Sequence, residues 1–292
     1  MTANSIALIS KYVPLLDEVY KLASKTSVLD GDSSLVKAGS NTNEICIPKI
    51  QLDGLADYSR NDGYVKGSAS LVWETVKFNY DRGRKLGVDA MDNEETAGVA
   101  FGSLSSEFIR TKVVPEMDAF RFATYSALEN ISKVATGATL TTGEEVLSAL
   151  TAAMNQMDED EVPAENRILF ITPTLLRLAK SVDLTKSKEV LDGFSQIVTV
   201  PQSRFYTAID LVSGKTDDEL AGGFVKNADA KDINFMIIHK PAVLQYPKHT
   251  VNKVITPEVN QESDGYLFFY RAYGLADAYE NKRAGIYLHH KG

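Results

Sequence analysis

Between Thr75 and Phe108 the apolar spacing changes once, and that change constrains everything around it. Val76, Phe78 and Tyr80 fall at every second position, which puts them on one face of a strand. Ala97, Phe101, Leu104 and Phe108 recur at intervals of four, three and four, the pattern of a helix with one buried face. An extended ribbon must therefore hand over to a helix within a few residues. The handover lies in FNYDRGRKLGVDAMDNEE (78–95), which carries Arg82, Arg84 and Lys85 beside Asp81, Asp89, Asp92, Glu94 and Glu95.

Turn grammar divides this charged segment. Asp81-Arg82-Gly83 is read as a short turn, with Arg84 to Asp89 resuming an extended pattern, so the two extended runs form a β-hairpin with its cations at the tip and on the return strand. Asp92 or Asn93 is placed to cap the helix, with Glu94 and Glu95 in its first turn, where carboxylates meet unpaired amides and the positive end of the helix dipole. Pro115, followed by Glu116 and Asp118, marks a kink or a second helix start. Phe120, Ala123, Ala127 and Ile131 carry the apolar face onward to Gly137. If residues 93–133 are nearly continuous they make a rod of roughly 60 Å at ~1.5 Å per residue.

The flanking segments have different characters. Ile6 to Ala23 has the pattern of a short amphipathic helix interrupted at Pro14, and SKTSVLDGDSSLVKAGSNTN (24–43) favours an extended or flexible arm over a packed element. Residues 45–50 form a short strand that Pro48 confines to an edge or a break. From 138 to 244 the pattern is α/β. Thr142 to Glu145 is a capping box, Val146, Leu150, Ala153 and Met157 form a helical stripe, and RILFIT (167–172) is a buried strand followed by a helix through Lys180. Gln196–Val200 and Ile233–Ile238 are further strands, with an exposed loop at GKTDDELAGG (214–223). Residues 245–292 return to β structure. Tyr266, Phe268, Phe269, Tyr270 and Tyr273 form an aromatic strand, and 276–280 pairs with 284–290 as a closing hairpin around Asn281-Lys282-Arg283.

Composition narrows the chemistry. The net charge of -8 disfavours binding of nucleic acid through bulk electrostatics. The single cysteine, Cys46, rules out an internal disulfide and a Cys-based zinc site, and its apolar neighbours assign it a structural role. No HExxH pair, phosphate-binding glycine loop, dinucleotide fingerprint or nucleophile elbow occurs. The acidic run 158–161 reads as a solvated loop, and His289 and His290, adjacent on a strand, point to opposite faces. Catalytic, cofactor-binding and metal-ligating residues are accordingly not expected. No signal peptide is read, and the apolar runs are short of the ~20 residues that span a bilayer, so no membrane partner is expected.

The order of parts, together with the phrases LADYSRNDGY (55–64), DRGRK (81–85), VDAMDNEET (88–96) and VVPEMDAFR (113–121), resembles the major capsid proteins of tailed bacteriophages, in particular those of phages and prophages of Gram-positive bacteria. The resemblance is concentrated in residues 47–123; beyond it, the strand–Pro–helix phrase ILFITPTLL (168–176) and the element order carry it. It implies an α+β, HK97-like capsid fold. The parts would be an N-terminal arm (1–44), an extended hairpin called the E-loop (45–92), a peripheral P-domain with a long spine helix and β-sheet (93–137 and 245–292), and an α/β axial A-domain (138–244). It implies a shell of pentamers and hexamers around double-stranded DNA, held without sequence-specific binding, in a virion assembled in the host bacterial cytoplasm. Portal, decoration and separate scaffolding proteins would be further partners. The matching block begins near residue 45, so a long scaffolding segment is not expected ahead of it. Arg60, Asp62, Lys66, Lys77, Asp81, Arg82, Arg84, Lys85 and Asp89 are then expected to meet a neighbouring subunit. Alternatives are an encapsulin-type nanocompartment, an α/β enzyme without a recognisable active site, and a nucleic-acid-binding module.

Overall fold

The structure is a computed structural model that describes residues 24–31, 37–38, 44–61, 63–91, 99–134 and 136–292. The residues expected to cap the helix, Asp92, Asn93, Glu94 and Glu95, lie outside the described residues, as do Asp62 and the helix read over 6–23.

The first sheet contains β1 (Lys37–Ala38), β2 (Glu44–Leu52) and β3 (Ala69–Lys77), in that order. β2 and β3 are antiparallel from Glu44 opposite Lys77 to Leu52 opposite Ala69, so the hairpin tip is the 53–68 loop. β4 (Tyr80–Asp89) does not pair with β3 and instead joins a second sheet. The expected hairpin around Asp81-Arg82-Gly83 is therefore corrected, because those three residues lie within a strand. Gly83 is there for close approach and not for turning. A Cβ at this position would stand 2.8 Å from the Tyr270 carbonyl oxygen. The corner between β3 and β4 is Phe78-Asn79, where the Asn79 side chain donates to the Ala276 carbonyl (2.8 Å) and accepts from its amide (3.1 Å), replacing a missing strand.

The chain then becomes helical. α1 (Val99–Phe108) runs through a π-helical turn (Ile109–Val113) into α2 (Val114–Ala127), a stretch of about 43 Å at ~1.5 Å per residue. In a regular helix the ring of Pro115 would strike the carbonyl four residues earlier. The wider π turn relieves that conflict, with the Val114 amide reaching back to the Ile109 carbonyl. The extra residue also rotates the apolar face. Leu104, expected to be buried, is 39% exposed, and the buried line runs instead through Ser105, Ile109 and Val113.

β5 (Ser132–Lys133), α3 (Gly143–Glu159), β6 (Arg167–Ile171), α4 (Pro173–Ser181), α5 (Leu184–Leu191), β7 (Gln196–Thr199), β8 (Ile209–Leu211), β9 (Phe224–Lys226) and β10 (Ile233–His239) follow. β11 (Val243–Ile255), β12 (Gly265–Ala278) and β13 (Ile286–His290) complete the chain. The long second sheet has the order β11-β12-β4, and a five-stranded sheet has the order β5-β13-β10-β6-β7. The expected closing hairpin does not form. β12 and β13 enter different sheets, because residues 280–285 make a 3-10 turn that redirects the chain.

Alternation in the five-stranded sheet builds two cores back to back. Ile168, Phe170, Met236, Ile238, Ile286 and Leu288 face one side and meet Phe122 and Tyr125 of α2. Leu169, Ile171, Phe235, Ile237 and Tyr287 face the other and meet the α3 stripe Val146, Leu150, Ala153 and Met157. The capping box at the start of α3 is present in both directions between Thr142 and Glu145. A third core joins the helical run to the long sheet through Ile109, Val114, Met117, Phe268 and Tyr270. The run 158–161 is less free than expected. Asp158 accepts from Arg167 (2.7 Å), whose side chain is 1% exposed and also donates to the Pro163 and Val162 carbonyls.

His289 is buried in this sheet, stacked on Phe235 with ring centroids 4.8 Å apart and its Nδ1 3.1 Å from Asn234 Nδ2. Burial, followed by the adjacent His290 charge, lowers its pKa to about 4. Between about 4 and the ordinary histidine value near 6.5, the unfolded chain holds a proton here that the folded chain does not. Stability should therefore fall as pH drops through that window. Urea unfolding measured at intervals from pH 7 to 4 is expected to show this slope, and the slope should shrink in His289→Gln.

Candidate functional site

The helical run carries two inward-pointing carboxylates, Glu116 and Asp118, each tied to a different part of the chain. Asp118 is fully buried. Its Oδ1 accepts from Ser24 Oγ (2.9 Å), the Thr26 amide (3.1 Å) and Thr26 Oγ1 (2.7 Å). Its Oδ2 accepts from the Lys25 amide and Arg204 Nη1, both at 3.0 Å. Arg121, one turn on, donates through Nη1 to Thr26 Oγ1 at 2.8 Å, and its Nη2 lies 3.5 Å from Asp30 Oδ1. Gln245 of β11 donates to the Thr26 carbonyl and to Asp30, both at 2.7 Å, and accepts from the Tyr125 hydroxyl at 2.8 Å. Residues 24–31 were expected to be part of a flexible arm. Instead Ser24, Thr26 and Leu29 are buried and fixed by this network. A polar segment packs here because a buried carboxylate satisfies its amides and hydroxyls.

Glu116, 8% exposed, accepts from Arg82 Nε (2.8 Å) and from the Tyr80 hydroxyl (3.2 Å). Burial, reinforced by the Glu116 charge, raises the Tyr80 pKa well above its ordinary value. The same Arg82 donates through Nη2 to the carbonyls of Val212 (2.8 Å) and Gly223 (3.1 Å). Arg84 Nη2 donates to the Leu220 carbonyl at 2.7 Å. Asp81 pairs with Arg271 through two hydrogen bonds (2.8 and 2.7 Å), which hold its carboxyl below the usual range. Lys85 pairs with Glu262, and Asp89 accepts from the Met91 amide at 2.9 Å. The β4 charges expected to meet a neighbour thus have partners in their own chain. Arg60 and Lys66 are exposed in the 53–68 tip, and Lys77 is exposed at the hairpin base, opposite Glu44.

The hairpin carries a feature that charge-based reading missed. Of the fourteen large apolar side chains exposed among the described residues, eight lie between Leu52 and Trp73. Leu55 is fully exposed, Tyr64 is 89% exposed and Leu52 73%. Tyr58 and Tyr64 rest against each other with centroids 4.9 Å apart, and paired hydrogen bonds between Ser59 and Gly63 close a small loop beneath them. Gly63, at φ 79°, adopts the left-handed conformation that this loop needs. Apolar side chains clustered on a projecting ribbon are the mark of a contact surface. The unbroken apolar run Leu71-Val72-Trp73 was available as a signal, but sequence alone did not tell that side chains on both faces of the strand would lack a core.

Among the described residues no group of three or more His, Cys, Asp or Glu side chains is arranged to hold a metal ion, and no helix is long and apolar enough to cross a membrane. Cys46 stands on β2 with its Sγ 3.9 Å from Thr75 Oγ1.

Replacing Asp118 by Ala should release residues 24–31 while leaving Arg204 without its partner. Breaking a buried pair on one side costs about 3–5 kcal/mol. Hydrogen exchange is expected to show loss of protection at the Lys25 and Thr26 amides, with Asp118→Asn intermediate between the two.

No protein-family model matches the chain, and no curated protein matches it. Solved structures do. The chain is similar to a structure from Mycobacterium phage Che8, with a TM-score of 0.60 and 11% identity over 91% of this chain and 90% of that one. It is similar to the capsid structure of cyanophage P-SCSP1u, with a TM-score of 0.54 and 12% identity over 87% and 85% of the two chains. It is also similar to a virus-like particle from Pyrococcus furiosus, with a TM-score of 0.56 and 13% identity over 97% and 99%. At these identities the likeness is one of fold, and it extends over nearly the whole of each chain. The chain has the α+β, HK97-like fold of the phage capsid proteins.

Proposed function

We propose that the protein is a major capsid protein, many copies of which assemble into an icosahedral shell around a phage double-stranded DNA genome. The observation that carries the reading is the β2–β3 hairpin. It projects eight large apolar side chains that its own chain leaves exposed, on a fold whose solved examples include phage capsids. Leaving so much apolar surface in water is unfavourable by roughly 25 cal/mol per Å2, so a partner that covers it stabilises the assembly. A neighbouring copy supplies such a partner at every position of a closed shell.

In this reading Arg60, Asp62 and Lys66 at the tip, with Lys77 at the base, flank the apolar contact and set its register by charge. Asp81, Arg82, Arg84, Lys85 and Asp89 act first within the subunit, holding the strand from which the hairpin projects, and contribute to the neighbour from there. The division into arm, E-loop, P-domain and A-domain is kept with two changes to the boundaries read from the sequence: β4 goes with β11 and β12, and β13 goes with β6, β7 and β10. Pentamers and hexamers would form in the host bacterial cytoplasm and end in the virion, with portal, scaffolding and decoration proteins as partners. The net charge of -8 suits a lining that does not grip DNA. No enzymatic activity or cofactor is part of the proposal.

A second reading, a protein-filled nanocompartment of the encapsulin type, draws on one observation. Coverage in both directions is more complete for the virus-like particle than for the two phage structures above. Shell contents separate the two readings, packaged DNA against packaged protein.

Negative-stain electron microscopy of the purified protein is expected to show uniform shells, or rings of five or six subunits. Strictly monomeric protein under every assembly condition would overturn the proposal. Placing Asp at both Leu55 and Tyr64 should block assembly while leaving the far-UV circular dichroism of the monomer intact, since a buried contact anchor is worth about 2 kcal/mol or more. Normal assembly of that double variant would remove the hairpin from the interface.

A further inference from the structure

The segment GKTDDELAGG (214–223) joins β8 to β9, which form a two-stranded sheet of three residue pairs. A ribbon of that size is marginal on its own in water. Its acidic 3-10 turn, Asp217–Glu219, is exposed to solvent except for the partly buried Glu219. The segment is nevertheless held at defined atoms. Arg82 Nη2 donates to the carbonyls of Val212 and Gly223, the two residues that follow and precede the strands, and so closes the mouth of the loop. Arg84 Nη2 donates to the carbonyl of Leu220, the residue that ends the 3-10 turn and whose carbonyl a helix end would leave unsatisfied.

The glycines make this grip possible. Gly214, Gly222 and Gly223 have φ of 69°, 62° and 88°, in the left-handed region. A Cβ at Gly214 or Gly222 would come within 3.1 or 3.0 Å of Arg84 Nη1. The loop thus folds its carbonyls around two guanidinium groups with no side chain between them. Arg82 is itself oriented by Glu116 on the helical run, through Nε at 2.8 Å. Carboxylate, guanidinium and loop carbonyls form one chain of contacts from α2, across β4, to the β8–β9 ribbon.

We infer that Arg82 and Arg84 are a latch that holds the β8–β9 loop onto β4, and that Glu116 relays the position of the helical run to that loop through Arg82. The latch acts within one subunit and is independent of shell formation. Opening it frees the loop without unfolding the sheets. Shifting α2 relative to β4 loosens it from a distance, because the guanidinium must be aimed by its carboxylate before it can reach both carbonyls.

Limited trypsin digestion of the full-length monomer tests this, with cleavage after Lys215, exposed in the loop, followed by mass spectrometry. Cleavage after Lys188, exposed on α5, is the internal reference. Arg84→Met should raise the rate after Lys215 by about tenfold with no change after Lys188, since local opening governs cleavage. Glu116→Gln should raise it several-fold as well, by weakening the aim of Arg82. An unchanged rate in Arg84→Met would overturn the latch, and so would a parallel rise after Lys188, which signals general loosening. A rise in Arg84→Met with none in Glu116→Gln would overturn the relay.

Discussion

Asp118 sits inside the molecule, on the helical run, and its two oxygens accept five hydrogen bonds from two other parts of the chain, residues 24–26 and Arg204. A carboxylate can remain charged in such a place only when donors replace the water it has lost. Ser24, Lys25 and Thr26 supply most of them, and Arg204 supplies the charge-assisted one. Ordering of the 24–31 segment, of the helical run and of the chain after β7 is thereby one event. Phe122 and Tyr125, one and two turns further on, sit in the core under the five-stranded sheet, so the position of that sheet is referred to the same helix. Glu116, two residues earlier, does for β4 what Asp118 does for the arm, and through Arg82 its influence extends to the β8–β9 loop.

Rigidity is therefore concentrated behind the hairpin. The corner at Asn79 is bonded to Ala276 in both directions, Gly83 lets β4 lie close against β12, and Asp81, Arg82, Arg84 and Lys85 are each tied within the subunit. The 53–68 tip, by contrast, is held mainly by its own small loop at Ser59 and Gly63 and by the Asp53–Ser68 pair. A stiff base with an apolar tip suits a part that must reach a fixed distance and then adapt to what it meets.

Much of the architecture was legible. The α3 stripe, the capping box at Thr142, the buried strand at 167–171 and the aromatic strand around Tyr270 follow from periodicity and local hydrogen bonding, which act over a few residues. The errors have a common cause. Asp81-Arg82-Gly83 has turn composition, yet Gly83 answers a steric demand from Tyr270, far away in sequence. Residues 24–31 have the composition of a loose arm, yet their hydroxyls and amides find Asp118 more than ninety residues on. Leu104 has the right spacing for a core position, yet the π turn beside Pro115 shifts the face. The β4 cations stood out as a charge cluster, but their partners Glu116, Glu262, Leu220 and Val212 could not be chosen from composition.

By itself, the sequence determined the order of elements, the handover from extended chain to long helix, the α/β character of the middle region, and phrases specific enough to point to the capsid fold. Those properties depend on spacing along the chain, which the sequence contains directly. Only the tertiary structure decided that β3 and β4 part company, that the arm is anchored, and that the charges of 81–85 are satisfied at home while the apolar tip is not. Those outcomes turn on which distant donor reaches which acceptor first and which apolar face finds a core, and such competition is resolved only when the whole chain is packed.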